Sequence, residues 1–271
     1  MINTIKDILK KSWSVYKNNF AKIAVAILAV WLPLVLIQAL IVDPSLDLEG
    51  LNEILSNPEL LGTAEYENAA LASYRSMSIY MIMTLIISFL GIVSDITIIK
   101  IAAASHKNEL KKTESSFSDF FSEAIPILPR SIWTLILTSL LIAGGLMLFI
   151  LPGIYVYVMS ALAMTATVLI GSRGLNSIKI SFAVIKKEIF TVALVMLFFI
   201  VLNSIIGFAF DLISVPLPDN KIITSVLDAV ITLAGKFVTA VQLIFFAIFF
   251  IERTEVINSE HVQGKAPEAE L

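Results

Sequence analysis

The residue of this chain best placed to do chemistry is Lys236, because it puts a charge where charge is costly. It stands ten residues into the apolar run Val226–Ile251, about 15 Å deep at a helical rise. That is near the middle of a bilayer core of roughly 30 Å. Inserting a lysine there costs about 2.5–3.5 kcal/mol, so the ammonium must face the bundle interior or water. Asp95, in the run Ile79–Ala104, is the best counter-charge. Both runs head the same way across the membrane, and Asp95 lies about 24 Å from the outer boundary. The axial offset of about 9 Å is one that a long lysine stem largely bridges. Asn203, Gln242 and free backbone carbonyls are the alternative acceptors. A cluster of Lys236, Asp95, Asn203 and Gln242 would serve as a structural salt bridge, or as a midplane polar site for a solute or proton.

Other chemistries lack their residues. Asp95 and Asp228 differ in depth by about 20 Å, whereas an aspartyl dyad shares a proton at about 3 Å. His106 and His261 sit in polar segments with no His-Glu-x-x-His pattern, and no Gly-x-Ser-x-Gly elbow or phosphate-binding Gly-Lys loop occurs. Gly171 and Gly174 flank Arg173 as the end of an apolar run, the pattern of a helix terminus. With no cysteine, there is no thiolate ligand or nucleophile. The expectation is a protein that is not an enzyme, with no cofactor, no metal and no nucleic-acid partner.

The elements that must position these side chains follow from composition. Hydrophobic residues make up 58% and charged residues 15%, against about 25% charged in a soluble domain. The mean hydropathy is +0.90. Lipid must cover much of such a surface, so the fold class expected is an all-α integral membrane protein. Six runs meet the requirement of about 20 apolar residues: Phe20–Val42, Ile79–Ala104, Ile132–Ile150, Ile154–Ile170, Phe190–Phe210 and Val226–Ile251. The third and fourth are parted only by Leu151-Pro152-Gly153. Pro152 and Gly153 read as a hairpin turn, because proline stops a helix and glycine allows unusual φ.

Lysines 6, 10, 11, 17 and 22, then 100, 107, 111 and 112 with Arg130, then Arg173 with Lys179, Lys186 and Lys187, mark alternate loops. By the positive-inside rule these loops and both termini are cytoplasmic. The chain divides into an amphipathic helix 1–19, a six-span domain 20–251 with an acidic outer loop 43–78, and a flexible cytoplasmic tail 252–271. The run Phe20–Val42 stays as a span rather than a cleaved signal, because five lysines precede or open it and no Ala-x-Ala site follows.

Three cytoplasmic segments show helical apolar stripes: Ile5/Ile8/Leu9/Ser12/Trp13/Tyr16, Phe117/Phe120/Phe121/Ala124 and Ile178/Ser181/Phe182/Ile185/Ile189. Helices of this kind lie in the membrane interface, their lysines meeting anionic headgroups. Each precedes a pair of spans, an order of three units of interfacial helix plus hairpin. Ser12-Trp13-Ser14-Val15-Tyr16-Lys17 echoes Ser181-Phe182-Ala183-Val184-Ile185-Lys186. Leu48, Leu51 and Leu55 have the spacing of a short surface helix in the outer loop.

Ala124-Ile125-Pro126-Ile127-Leu128-Pro129-Arg130, followed by Leu151-Pro152-Gly153-Ile154, resembles the YciC family of bacterial inner-membrane proteins. Asn176–Lys187, centred on Ser181, and the Ser12-Trp13 helix extend the resemblance over most of the chain. More distantly it is similar to the membrane domain attached to some glycerophosphodiesterases. The resemblance implies a multi-pass protein of the bacterial inner membrane without a defined mechanism. The longer acidic-ended tail, Glu252–Leu271, departs from it.

The expected role is a non-enzymatic envelope protein that organises lipids or partner proteins, with anionic lipids at the cytoplasmic face and membrane proteins or a homo-oligomer as partners. The rival is a transporter or channel built around Lys236. Spans that are mostly continuous, apart from Pro33 in the first, and units of like orientation favour the first role, since secondary transporters favour broken helices and inverted repeats.

Overall fold

The computed structural model describes residues 2–41, 63–106, 117–214 and 221–263. These residues are helical apart from short junctions. The helices are α1 (Ile2–Asn18), α2 (Phe20–Ile41), α3 (Ala64–His106), α4 (Phe117–Ala124), a 3-10 turn (Ile125–Ile127), α5 (Leu128–Leu148), α6 (Ile150–Met159), α7 (Ala163–Ile170), α8 (Leu175–Ile185), α9 (Ile189–Ser214) and α10 (Lys221–Gln263). Five spans are long and apolar enough to cross a membrane: Met77–His106, Phe117–Leu148, Ile150–Ile170, Ile189–Phe210 and Val226–Glu255. Ile5–Asn18 and Phe20–Leu36, bent by 73°, qualify as a sixth when taken together. The chain is an all-α, multi-pass membrane protein. Helix α10 runs on through residues expected as tail, and α3 starts well inside the expected outer loop. The Leu48/Leu51/Leu55 stripe lies outside the described residues.

Helix α10 lies at the centre, packed on α1, α2, α3 and α9. Its face Ile244–Phe250 is wholly buried, against Ile96, Ile99 and Ile101 of α3 and Ile23 and Ile27 of α2 in one apolar core. The element order is three successive units of a short helix followed by a helical hairpin: α1 with α2/α3, α4 with α5/α6–α7, and α8 with α9/α10. At a constant offset of 169 positions the burial pattern of the first unit recurs in the third. Ile8, Ser12, Val15, Ile23, Ala26 and Ile27 match Ser177, Ser181, Val184, Val192, Val195 and Met196, all buried. Asn19 and Glu188 hold the same place in this register, at the corner between short helix and span. The Asn19 carbonyl accepts from Ile23 N–H at 3.0 Å, and the Glu188 carbonyl accepts from Val192 N–H at 3.0 Å.

Each unit is closed at its base by one polar contact between the start of its outgoing helix and the end of its returning one. Asn19 Nδ2 donates to Ser105 Oγ (3.1 Å), Arg130 Nη1 to the Gly171 carbonyl (3.4 Å) and Arg253 Nη2 to Glu188 Oε1 (2.5 Å). Ion pairs Lys11–Glu252 (2.6 Å) and Lys100–Glu123 tie α1 to α10 and α3 to α4 at the same end. The three short helices therefore gather at one end of the bundle.

Two expectations change. The hairpin break falls at Phe149, the single extended residue (φ −164°, ψ 155°) between α5 and α6. Pro152 and Gly153 sit inside the first turn of α6 rather than forming the turn. Proline is tolerated there because the first N–H groups of a helix lack intrahelical partners anyway. Gly153 serves packing: a Cβ on Gly145 would lie 2.9 Å from the Gly153 Cα, so the two glycines let the hairpin arms touch. The second change is in the fourth span, which breaks at residues 160–162 between α6 and α7. Ser181 of α8, fully buried, closes this break. Its hydroxyl donates to the Met159 carbonyl (2.7 Å) and accepts from Leu162 N–H (3.1 Å).

Helices α1, α4 and α8 each bury one face in the bundle, while Trp13 of the first stripe stays half exposed. Ile8, Ser12 and Val15, then Phe120 and Ala124, then Ile178, Ser181, Val184 and Ile185 are buried against protein. An apolar stripe reads the same whether a bundle or a lipid surface covers it.

Replacing Ser181 with Ala leaves a buried carbonyl and a buried N–H open. The expected loss is about 1–3 kcal/mol, read as a lower melting temperature in detergent. Ser88→Ala, which removes an exposed hydroxyl bonded to the Thr84 carbonyl of its own helix (2.8 Å), serves as the control and changes little.

Candidate functional site

Three helices bring the intramembrane lysine to an aromatic ring. Trp31 of α2 is buried (7% exposed), and the Lys236 Nζ of α10 stands 3.6 Å from its ring centroid. Gly91 of α3 makes the room. A Cβ built there would fall 2.3 Å from Trp31 Cζ2 and 2.7 Å from Cη2, so only glycine lets the indole lie flat on α3. Asp95 is one helical turn beyond Gly91 and close enough for its charge to act on Lys236. The ammonium is nevertheless taken up by the indole face, not by a contact salt bridge. A ring quadrupole holds a cation with about 2 kcal/mol or more once water is excluded. Asp95 then supplies longer-range attraction, although burial still strips water from both charges.

The remaining candidates divide. The Asn203 side chain donates to its own helix, Nδ2 to the Phe199 carbonyl at 3.0 Å, while its Oδ1 lies 3.4 Å from where a Cβ of Gly235 would be. Asn203 thus abuts the residue beside Lys236. Gln242, partly buried, lies further along α10. Asp228 is exposed toward the other end of the helix. The constellation is therefore Trp31, Gly91, Asp95 and Lys236, with Asn203 at its edge.

Trp31 is the member that the sequence reading missed. Its signal is its depth. It lies eleven residues into the run that begins at Phe20, about 16 Å along a helix. Membrane tryptophans favour the two interfaces, so one at mid-depth opposite an intramembrane lysine is informative. The helices around it are held in register by Ser94 Oγ, which donates to the Ala26 carbonyl at 3.0 Å, and by the Asn19–Ser105 contact.

A second polar array lies at the α5–α7–α8 junction. Thr134 Oγ1 and Thr167 Oγ1 are 3.1 Å apart, Thr167 Oγ1 donates to Ser177 Oγ (2.8 Å), and Ser177 reaches Ser172 (2.7 Å). Gly174 N–H donates to Thr134 Oγ1 at 2.9 Å. Thr134, Thr167 and Ser177 are fully buried. Gly171 (φ +75°) and Gly174 (φ +56°) turn the chain between α7 and α8. The hydroxyls bond to one another and to backbone, so the array works as interhelical adhesive. Among the described residues no group of three or more His, Cys, Asp or Glu side chains is arranged to hold a metal ion.

Gly91→Ala is expected to expel Trp31 and lower the melting temperature, with Trp31→Leu lowering it by a similar mechanism. In a double-mutant cycle, Trp31→Leu and Lys236→Leu should couple by about 1–2 kcal/mol. Additive effects in thermal melts would show that the stacked geometry contributes nothing. No protein-family model, curated protein or solved structure matches this chain, so the family resemblance noted in its sequence is carried by the quoted residues alone.

Proposed function

We propose that this protein is a non-enzymatic, six-span organiser of the bacterial inner membrane, its basic end facing the cytoplasm and gathering anionic lipids. The observation that carries the reading is the construction of that end. Three short helices are pinned by Lys11–Glu252, Lys100–Glu123 and Arg253–Glu188, and each buries one face in the bundle while Trp13 stays half exposed. Lys6, Lys10, Lys17, Lys179 and Lys186 remain exposed on this fixed frame. Polybasic surfaces beside a bilayer attract anionic headgroups by about 1 kcal/mol per residue near the surface. The resemblance to the YciC family agrees with a bacterial inner-membrane setting.

The interior supports this reading over transport. A solute site needs polar groups left open to it, as at the unwound segments of discontinuous helices. Here the break at 160–162 is closed by Ser181 and the Lys236 ammonium already rests on Trp31, which leaves Ser131 and Thr138 of α5 as the buried hydroxyls without a hydrogen-bond partner among the described residues.

Purification in mild detergent should retain anionic over zwitterionic lipid, and native mass spectrometry reads this directly. Replacing Lys10, Lys17, Lys179 and Lys186 with Gln should abolish the preference while leaving the fold intact. Equal lipid retention by both proteins would sink the proposal. Lys236→Leu should leave lipid retention and any cellular phenotype unchanged; a well-folded variant with lost phenotype or solute flux would favour the transporter instead.

A further inference from the structure

The middle hairpin ends differently from its two neighbours. From Arg130 at the base to the break at Phe149, α5 rises about 28 Å, less with any tilt, against a hydrocarbon core of roughly 30 Å. By the same measure α3 extends about 54 Å outward from Lys100, α10 about 48 Å from Arg253 and α9 about 39 Å from Glu188. The outer hairpins therefore clear the far side of the core, while the middle one stops short of it.

Its chemistry agrees. Between Arg130 and Arg173 the sequence holds no Asp, Glu, Lys, Arg or His. The tip is Met147-Leu148-Phe149-Ile150-Leu151, exposed by 87%, 72%, 76%, 70% and 78%, with no protein covering it. The connections of the other hairpins carry charge, among them Asp43, Asp47, Glu49 and Asp219. Helix α5 is also the least enclosed of the long helices.

The backbone is economical at the tip. Phe149 N–H donates to the Gly145 carbonyl (3.1 Å), its carbonyl accepts from Gly153 N–H (3.3 Å), and Pro152 carries no N–H at all. One extended residue reverses the chain, so few groups are left for a solvent to satisfy. Irregular backbone is normally excluded from hydrocarbon for want of such partners.

We infer that the α5–α6 hairpin ends inside the far leaflet, at the boundary of acyl chains and glycerol, with the side chains of Met147–Leu151 contacting lipid acyl chains. The few open backbone groups then meet ester carbonyls and interfacial water. Lipid is thus the partner of this surface, and the protein carries one submerged hairpin beside two protruding hairpins that pack on each other through α2, α3 and α10. The inference rests on the membrane-spanning reading of the long helices and not on the lipid-organising role proposed above.

The absence of cysteine makes the test direct. Single-cysteine variants Phe149→Cys, Leu151→Cys and Tyr74→Cys are spin-labelled and reconstituted into phosphatidylcholine vesicles. Tyr74 lies on the part of α3 that extends past the core. Collisions with oxygen, which concentrates in lipid, are compared with those of a water-soluble nickel chelate. The oxygen-to-nickel ratio should be several-fold higher at positions 149 and 151 than at 74. Ratios equal to that at 74 would place the tip in water and overturn the inference. Protection from both reagents, or spin–spin broadening between chains, would assign the tip to a protein partner and overturn it as well. Two tip positions guard against one variant failing to fold, and none of these outcomes depends on headgroup preference.

Discussion

Hydrocarbon offers no solvent to complete an unfinished hydrogen bond, and the rest of this structure answers to that constraint. At two described interruptions of the helices, a side chain takes up freed backbone groups. Ser181 bridges the carbonyl of Met159 and the N–H of Leu162 across the break in the fourth span. Thr134 receives Gly174 N–H at the α7–α8 junction, where two left-handed glycines turn the backbone. Apolar burial adds little association energy between helices already surrounded by lipid. Hydroxyls, glycine contacts and a few ion pairs therefore set which helices meet and at what height.

The same logic explains how a lysine survives inside the bundle. Asp95 is already buried near Lys236, and the Coulombic gain of such a pair often fails to offset its desolvation. An indole offers a negative face with little desolvation. Gly91 is what makes the ring available, since any larger residue would collide with it. Asp95 stays within electrostatic reach without touching. The arrangement locks α2, α3 and α10 together in the interior, while the clasps Asn19–Ser105, Arg130–Gly171 and Glu188–Arg253 fix each hairpin at its base.

Much of this was legible in the residues. Hydropathy separates the spans because lipid imposes a length and a composition that few other environments do. The order of short helix and hairpin could be read three times, and the echo between Ser12 and Ser181 foreshadowed a register that burial extends from Ile8 to Met196. What escaped has identifiable causes. Pro152 was expected to mark the turn, but a proline is at ease in the first turn of a helix, so the break lies at Phe149. An ammonium ordinarily pairs with oxygen, and a tryptophan carries no charge to mark it as the partner of Lys236. Ile8, Phe120, Ile178 and Ile185 face protein while Trp13 is half exposed, a division that periodicity alone does not make.

At Asn19 the chain turns by 73° without releasing either helix. The Asn19 N–H still caps the end of α1 on the Val15 carbonyl, and its own carbonyl already begins the ladder of α2 at Ile23. Its side-chain amide holds the Val15 carbonyl and Ser105 as well. Such a corner behaves as an elbow bracket rather than a joint. A load applied along α1, by a swelling headgroup layer or a crowding neighbour, would be transmitted as a tilt of α2 and carried by Trp31 to the centre of the bundle.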